Sequence, residues 1–301
     1  MLWFNGNEMR DFRFPDNTIR MNQEDCGLLR FASTNYTAQP DVTYMEHAAQ
    51  FESPGVCNIV WKYEKPEELF VLQCMVMHLR DKMNVRDIHL FLPYIPNARM
   101  DRTKDPMAEV NMLKYFCQLL NALDLTSVTV CDAHSDASIN QINHVIQYSM
   151  KDFVLNVVAG HYDGIGYDYL FFPDDGAANR FGPIYNFRPH LCGKKHRNWS
   201  TGVIDGLTVE NPMNIDPATI GDKRILIVDD ICSRGGTFVH ASIKLKEFGF
   251  NHIGLCVTHL ENTVFAGKLL GSDSLIEKIY TTDSLKHGEH DKIVTIPLEV
   301  D

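Results

Sequence analysis

The chain has 301 residues, enough for one large or two ordinary domains and for a sizeable buried core. Its 45% hydrophobic and 22% charged content is that of a globular protein, and Asp plus Glu outnumber Lys plus Arg by 39 to 28, for a formal charge of −11. That balance argues against a free-standing nucleic-acid binder, whose surface carries the opposite sign.

The first 60 residues are weakly patterned, with "FRFPDNTIRM" (12–21) and "VCNIVWKY" (56–63) as strand candidates. From about residue 85 the pattern sharpens. "DIHLFLPY" (87–94) reads as a buried strand, and "MAEVNMLKYFCQLLNAL" (107–123) as a helix with Val110, Leu113, Cys117 and Leu120 at helical spacing. "SVTVCDAH" (127–134) is a second strand, followed by a predicted helix near 138–149. "YDYLFFPDD" (167–175), "RILIVDDI" (224–231), "HIGLCVTHL" (252–260) and "EKIYTTDS" (277–284) continue the strand series. Near-continuous apolar strands separated by helices imply mostly parallel sheets covered on both faces. Two similar α/β halves, 1–148 and 149–301, fit the length.

The eight cysteines show no CxxC spacing, and several sit in apolar runs, so buried free thiols in a reducing compartment are expected. The start lacks a basic segment followed by a long apolar one, and nowhere do about 18 apolar residues run together, which predicts no secretory signal and no membrane span. A cytoplasmic location is the expectation.

Four predicted strands end in polar clusters: "PYIPNARMDR", "CDAHSD", "PDDGAANR" and "DDICSRGGT". Acids and Asn at such positions often only cap the following helix. Four together, where α/β sheets bind ligands, point to a site. In the last cluster, Gly235 and Gly236 let a backbone turn approach an anion closely, a helix start contributes partial positive charge, and Thr237 adds a hydroxyl. Asp229 and Asp230 just ahead suit sugar hydroxyls or a hydrated cation. The combination matches a ribose 5-phosphate group.

"ILIVDDICSRGGT" resembles the phosphoribosyl pyrophosphate loop of type I phosphoribosyltransferase folds. "FLPYIPNARMDR" (91–102) resembles the ATP segment of ribose-phosphate pyrophosphokinases, and "DAHSD" (132–136), "FPDDGAANR" (172–180), "GKKHR" (193–197) and "THLENTVFAG" (258–267) follow in that family's order. The resemblance spans about residues 55 to 285. It implies two phosphoribosyltransferase-like domains, the first on the ATP side and the second binding ribose phosphate. It implies transfer of the terminal diphosphate of ATP to the anomeric hydroxyl of ribose 5-phosphate, with Mg2+ as cofactor. Arg99, Asp101 and Arg102 would contact ATP, His134 would help hold the ATP magnesium, and Asp174 would serve a second cation near the ribose. Lys195 and Arg197, with Lys194 as a one-residue alternative, would be the catalytic cations of a flexible loop. Asp229, Asp230, Ser233, Arg234, Gly235, Gly236 and Thr237 would hold the ribose phosphate. "RFPDNT" (13–18) resembles the segment that reaches a neighbouring subunit's adenine, giving Phe14 and Asp16 and implying a homo-oligomer with a shared ATP site.

Three features depart from the family pattern. Met100 stands where the family has Gln, and the tail ends at "TIPLEVD" without the family's final helix. Ser233 and Arg234 replace an acid and Thr, moving the loop about two charge units toward positive. Arg suits bidentate contact with a longer phosphate chain, so a 5′-extended acceptor such as ADP-ribose stays open beside ribose 5-phosphate. So does a catalytically silent regulatory relative. A plain phosphoribosyltransferase explains 224–237 but leaves "PYIPNARMDR" without a purpose.

Overall fold

A computed structural model describes residues 2–4, 18–20, 29–31, 56–101, 103, 108–197 and 204–298, with backbone only for those before 56 and for 83, 195–197 and 204–205. The chain divides into two compact units, Met1–Tyr148 and Ser149–Asp301.

In the first unit, β1 (Leu2–Phe4) pairs antiparallel with β3 (Leu29–Phe31). A five-stranded, all-parallel sheet takes the order β2 (Thr18–Arg20), β4 (Val56–Val60), β5 (Asp87–Phe91), β6 (Ser127–Cys131), β7 (Val145–Tyr148). Helix α1 (Glu68–Met83) buries Leu72, Met75, Val76 and Leu79, one stripe at helical spacing, and stops at Asn84 in the left-handed region at φ 51°. Helix α2 (Met112–Asn121) buries Leu113, Phe116, Cys117 and Leu120, and Asn111 caps it by accepting from Lys114 N–H at 2.9 Å. Val110, expected on that buried face, precedes the helix and is 60% exposed. Trp61, Ile59 and Leu90 complete the core with these helices.

The helix expected near 138–149 does not form. A four-residue helix α3 (Asp136–Ile139) is followed by β7, whose backbone pairs with β6 on one side only. Val145 to Tyr148 are half-buried to exposed, so their apolar spacing reflects an edge strand lying over little core.

The second unit holds a seven-stranded sheet in the order β10 (Ile204–Glu210), β9 (His190–Arg197), β8 (Tyr169–Phe172), β11 (Arg224–Cys232), β12 (His252–Leu260), β13 (Ile276–Thr282), β14 (Ile293–Ile296). All pairings are parallel except β9 with β10. Helices α4 (Lys151–Val158), α5 (Asp175–Tyr185) and α6 (Gly236–Phe248) flank it. Every residue of β12 from Ile253 to Leu260 is buried, the mark of a central parallel strand. The α/β class with mostly parallel, helix-covered sheets is as expected from sequence.

The chain passes from β8 outward to β9 and β10, then returns to the opposite side of β8 to lay down β11. This reversal makes a topological switch point between β8 and β11, where open α/β sheets form a crevice beyond their strand ends.

Among the described cysteines, Cys57, Cys117, Cys131, Cys232 and Cys256 are buried free thiols and Cys192 is half-buried. Burial pushes the Cys57 and Cys117 thiols up to about 11, so they are inert at neutral pH. Cys74 is exposed, against expectation, because "VLQCMVM" is apolar all round its helix and only one face finds a core. Among the described residues no helix is long and apolar enough to cross a membrane.

Candidate active site

The switch point gathers the second unit's marked residues. β8 ends at Phe172, and Asp174 caps α5, its Oδ1 accepting from Ala177 N–H at 2.9 Å. β9 crosses close by: a Cβ on Gly193 would lie 2.6 Å from Pro173 O, so only glycine lets the two backbones pass.

β11 runs through Asp229 and Asp230 to Cys232, one residue beyond the expected 224–231, in register with β12 as far as Leu260. The adjacent carboxylates are answered differently. Asp230, with a side chain 3% exposed, places Oδ2 3.2 Å from Arg180 Nη1 on α5. Asp229 Oδ1 accepts from Asp230 N–H at 3.0 Å. Burial holds the Asp229 carboxyl well above the usual carboxylate range, and the charge of Asp230, a side-chain hydrogen bond with it, and the charge of Asp174 push the same way. The crevice is therefore short of positive charge beside Asp229.

After Cys232 the chain turns through Ser233 and Arg234 into α6. Gly235 sits at φ 77°, and a Cβ there would lie 2.1 Å from Leu269 Cδ1. The first helical bonds run from Phe238 and Val239 N–H to Gly235 O, each at 3.0 Å, so the amides of Gly236 and Thr237 precede the internal ladder. A Cβ on Gly236 would meet nothing within 4 Å. Open space over unladdered amides at the start of a 13-residue helix is a receptive anion cradle. The loop is laced to the exit of β12. Ser233 Oγ lies 2.8 Å from Thr263 Oγ1, Thr263 Oγ1 donates to Glu261 Oε2 at 3.2 Å, and Glu261 N–H donates to Cys232 O at 2.8 Å. Arg234 is exposed, while its carbonyl lies so close to Gly267 that a Cβ there would sit 2.0 Å away.

In the first unit the marked residues also follow parallel strands. β5 leads into the buried segment 92–96, then Asn97 at φ 60°, exposed Arg99 and half-buried Asp101. β6 leads into buried Asp132 at φ 42° and half-buried His134. Left-handed non-glycine residues after two neighbouring strands mark backbone held against its preference, a pattern common at ligand sites. Phe14, Asp16 and Arg102 lie outside the described residues.

The basic segment read as a loop is strand as far as Arg197: β9 carries Lys194, Lys195 and Arg197, pairing Lys194 with Thr208, Lys195 with Leu207 and Arg197 with Ile204. An antiparallel partner satisfies the backbone there, which the charge run gave no sign of. Lys194 Nζ lies 3.4 Å from Glu210 Oε1, an exposed pair of little energetic weight. Residues 198–203 lie outside the described residues. The sequence alone assigns no role to Arg180, Glu261 or Thr263, although they lie within "FPDDGAANR" and "THLENTVFAG".

Among the described residues no three His, Cys, Asp or Glu side chains are grouped to hold a metal ion, and a cavity of about 620 Å³ opens away from the marked residues, between Arg80, Arg86, Thr126 and His144. Magnesium asks less of a protein, binding through one or two carboxylates with substrate phosphates and water. Asp174 and Asp229, two carboxyl groups close enough at the switch point to influence each other, are of the residue type such an ion takes.

No family model matches the chain. A ribose-phosphate pyrophosphokinase of Thermoplasma volcanium is 26% identical over 211 residues, 67% of this chain and 66%, just under two thirds, of that relative's own length. One from Thermosipho africanus is 27% identical over 298 residues, covering 96% of this chain and 87% of the relative. The crystal structure of phosphoribosylpyrophosphate synthetase from Mycobacterium smegmatis matches with a TM-score of 0.62 at 18% identity, over 82% of this chain and 80% of that one. With the parallel sheets, the switch-point crevice and the loop after β11, these similarities to ribose-phosphate pyrophosphokinases identify the architecture as the type I phosphoribosyltransferase fold.

Proposed function

We propose that the chain transfers the β,γ-diphosphate of ATP to the anomeric hydroxyl of ribose 5-phosphate, releasing AMP and forming phosphoribosyl pyrophosphate. The observation that carries this reading is the crevice between β8 and β11, where an open amide cradle follows half-buried Asp229 and buried Asp230. In it the acceptor's 5-phosphate rests on the amides of Gly236 and Thr237 and the Thr237 hydroxyl. Asp229 and Asp230 accept from the ribose hydroxyls. Arg99, Asp101 and Arg102 hold ATP. The 1-oxygen attacks the β-phosphorus, the bond from that phosphorus to the α,β-bridging oxygen breaks, and AMP leaves with that oxygen while the hydroxyl proton is lost. Such a transfer asks chiefly for alignment and charge neutralisation. Lys195 and Arg197 supply positive charge to the diphosphate in transit, with Lys194 as the neighbouring alternative. Magnesium, held with help from His134 on the ATP side and Asp174 on the ribose side, neutralises phosphate charge when bound.

A second acceptor has an observation in its favour. Arg234 is exposed beside the cradle while Ser233 Oγ is engaged by Thr263, so the donor free to reach outward is a guanidinium. A guanidinium suits a pyrophosphate, which makes ADP-ribose, giving its 1-pyrophosphate in nucleotide salvage, the alternative substrate. A homo-oligomer with a shared ATP site, through Phe14 and Asp16, and a cytoplasmic setting belong to the same reading. The test is AMP release from ATP and Mg2+ with a panel of ribose phosphates. AMP formed in step with a 1-diphosphorylated sugar is expected. ADP as the stoichiometric product would refute diphosphate transfer, and no nucleotide cleavage with any acceptor would indicate a silent regulatory protein.

A further inference from the structure

Arg180 lies on α5, six residues after the capping Asp174. The same helix buries Ala177, Phe181 and Tyr185 against the sheet. The Arg180 guanidinium carbon sits 5.3 Å above the centroid of the Phe181 ring, and that ring stacks on Phe172 of β8 at 6.5 Å. A guanidinium over an aromatic face is attracted to it, and its apolar stem loses freedom there. From this perch it reaches the nearly water-free carboxylate of Asp230 at 3.2 Å.

A carboxylate this deep beside two further acids would swing, or be pushed out, without a fixed counter-charge. An ion pair through Oδ2 restrains the group, and a carboxylate has lone pairs enough to accept from ribose hydroxyls besides. We infer that Arg180 is a positioning residue for the acceptor: it locks the Asp230 carboxylate in the orientation that receives the ribose hydroxyls, and offsets one negative charge where an anionic substrate must enter. This rests on the proposed function. Arg180 touches Asp230, so its effect should fall on the sugar phosphate and spare ATP.

An interaction made equally in the ground state and the transition state appears in KM and leaves kcat nearly unchanged. Losing a well-oriented charge-assisted hydrogen bond between Asp230 and a ribose hydroxyl corresponds to roughly 10- to 100-fold in affinity. The experiment measures binding of ribose 5-phosphate and of ATP by calorimetry, together with KM, kcat and Tm, for the native protein, Arg180→Gln and Arg180→Lys. Expected is a loss of about 10- to 100-fold for ribose 5-phosphate in Arg180→Gln, ATP affinity within about twofold, and partial recovery in Arg180→Lys. Because Arg180→Gln leaves a buried charge unpaired and can unfold the protein, Asp230→Asn and the double variant complete a cycle; in the Asp230→Asn background, Arg180→Gln should weaken sugar binding by no more than about threefold further. Equal weakening of both ligands in step with lost folded protein, or unchanged ribose 5-phosphate affinity, would overturn the positioning role and leave the proposed reaction standing. A native protein that binds ATP but no ribose phosphate would overturn both.

Discussion

Gly235 and Gly236 are adjacent, yet replacing each by alanine should have opposite consequences. At Gly235 the backbone lies at φ 77°, where an L side chain costs roughly 1–2 kcal/mol. Its Cβ would also fall 2.1 Å from Leu269 Cδ1 and 2.5 Å from Leu269 Cγ, in a residue that is fully buried. Forcing that leucine aside adds about 1–3 kcal/mol of overpacking, for a total of about 2–5 kcal/mol. In a domain of this size each kcal/mol moves Tm by about 2–4 °C, so Gly235→Ala should lower Tm by about 4–20 °C. At Gly236 a Cβ meets nothing within 4 Å and the residue is helical, so alanine should leave Tm unchanged or raise it slightly. On the proposed function, the open space it fills is the one the acceptor phosphate takes, so affinity for a ribose phosphate should fall at least tenfold. Thermal unfolding followed by circular dichroism and acceptor titration by calorimetry read the two effects separately. The reasoning is refuted if Gly235→Ala melts within about 1 °C of the native protein, or if Gly236→Ala binds acceptor as the native protein does.

Three other outcomes are expected. On the proposed function, in which their charge acts on the transferring diphosphate, Lys195→Ala and Arg197→Ala should each lower kcat by about 10²- to 10³-fold with KM for ATP changed far less; steady-state AMP release measures it. Arg234→Thr should lose about tenfold in kcat/KM with ADP-ribose and little with ribose 5-phosphate if Arg234 reads a second phosphate, and paired assays with the two acceptors decide. Asp229 is held above the ordinary carboxylate range, so the folded protein keeps a proton there that the unfolded chain has already lost. Its contribution to stability is thus greatest below the unfolded value, near 3.9, and fades as pH rises through the raised folded value. Asp229→Asn should therefore raise Tm more at pH 8 than at pH 5, while weakening acceptor binding; a pH series of melting curves tests the sign.

Strands were the most legible elements because a parallel strand buried on both faces must be apolar almost throughout. β5, β6, β8 and β12 each fall within a stretch read from the apolar pattern, and β11 and β13 each exceed theirs by one residue. The polar clusters beyond four of them were legible for the same reason, since a run of that kind breaks only where the sheet meets solvent or ligand. Nearly every misreading concerns pairing or packing between distant residues. The segment 193–197 is rich in charge and by resemblance a loop, yet 204–210 comes back to satisfy its backbone. Val145 to Tyr148 have spacing compatible with a helix, and β6 makes them an edge strand. Helix α1 went unmarked because apolar residues surround it, and only the sheet decides which face is inside. Strand order, and with it the switch point between β8 and β11, depends on which side of β8 the chain returns to, and no local pattern encodes that. The two adjacent acids could be located in the sequence. That Asp230 is met by Arg180 from another element, while Asp229 is left beside Asp174 with its carboxyl pushed up, follows only from how α5 packs on β11.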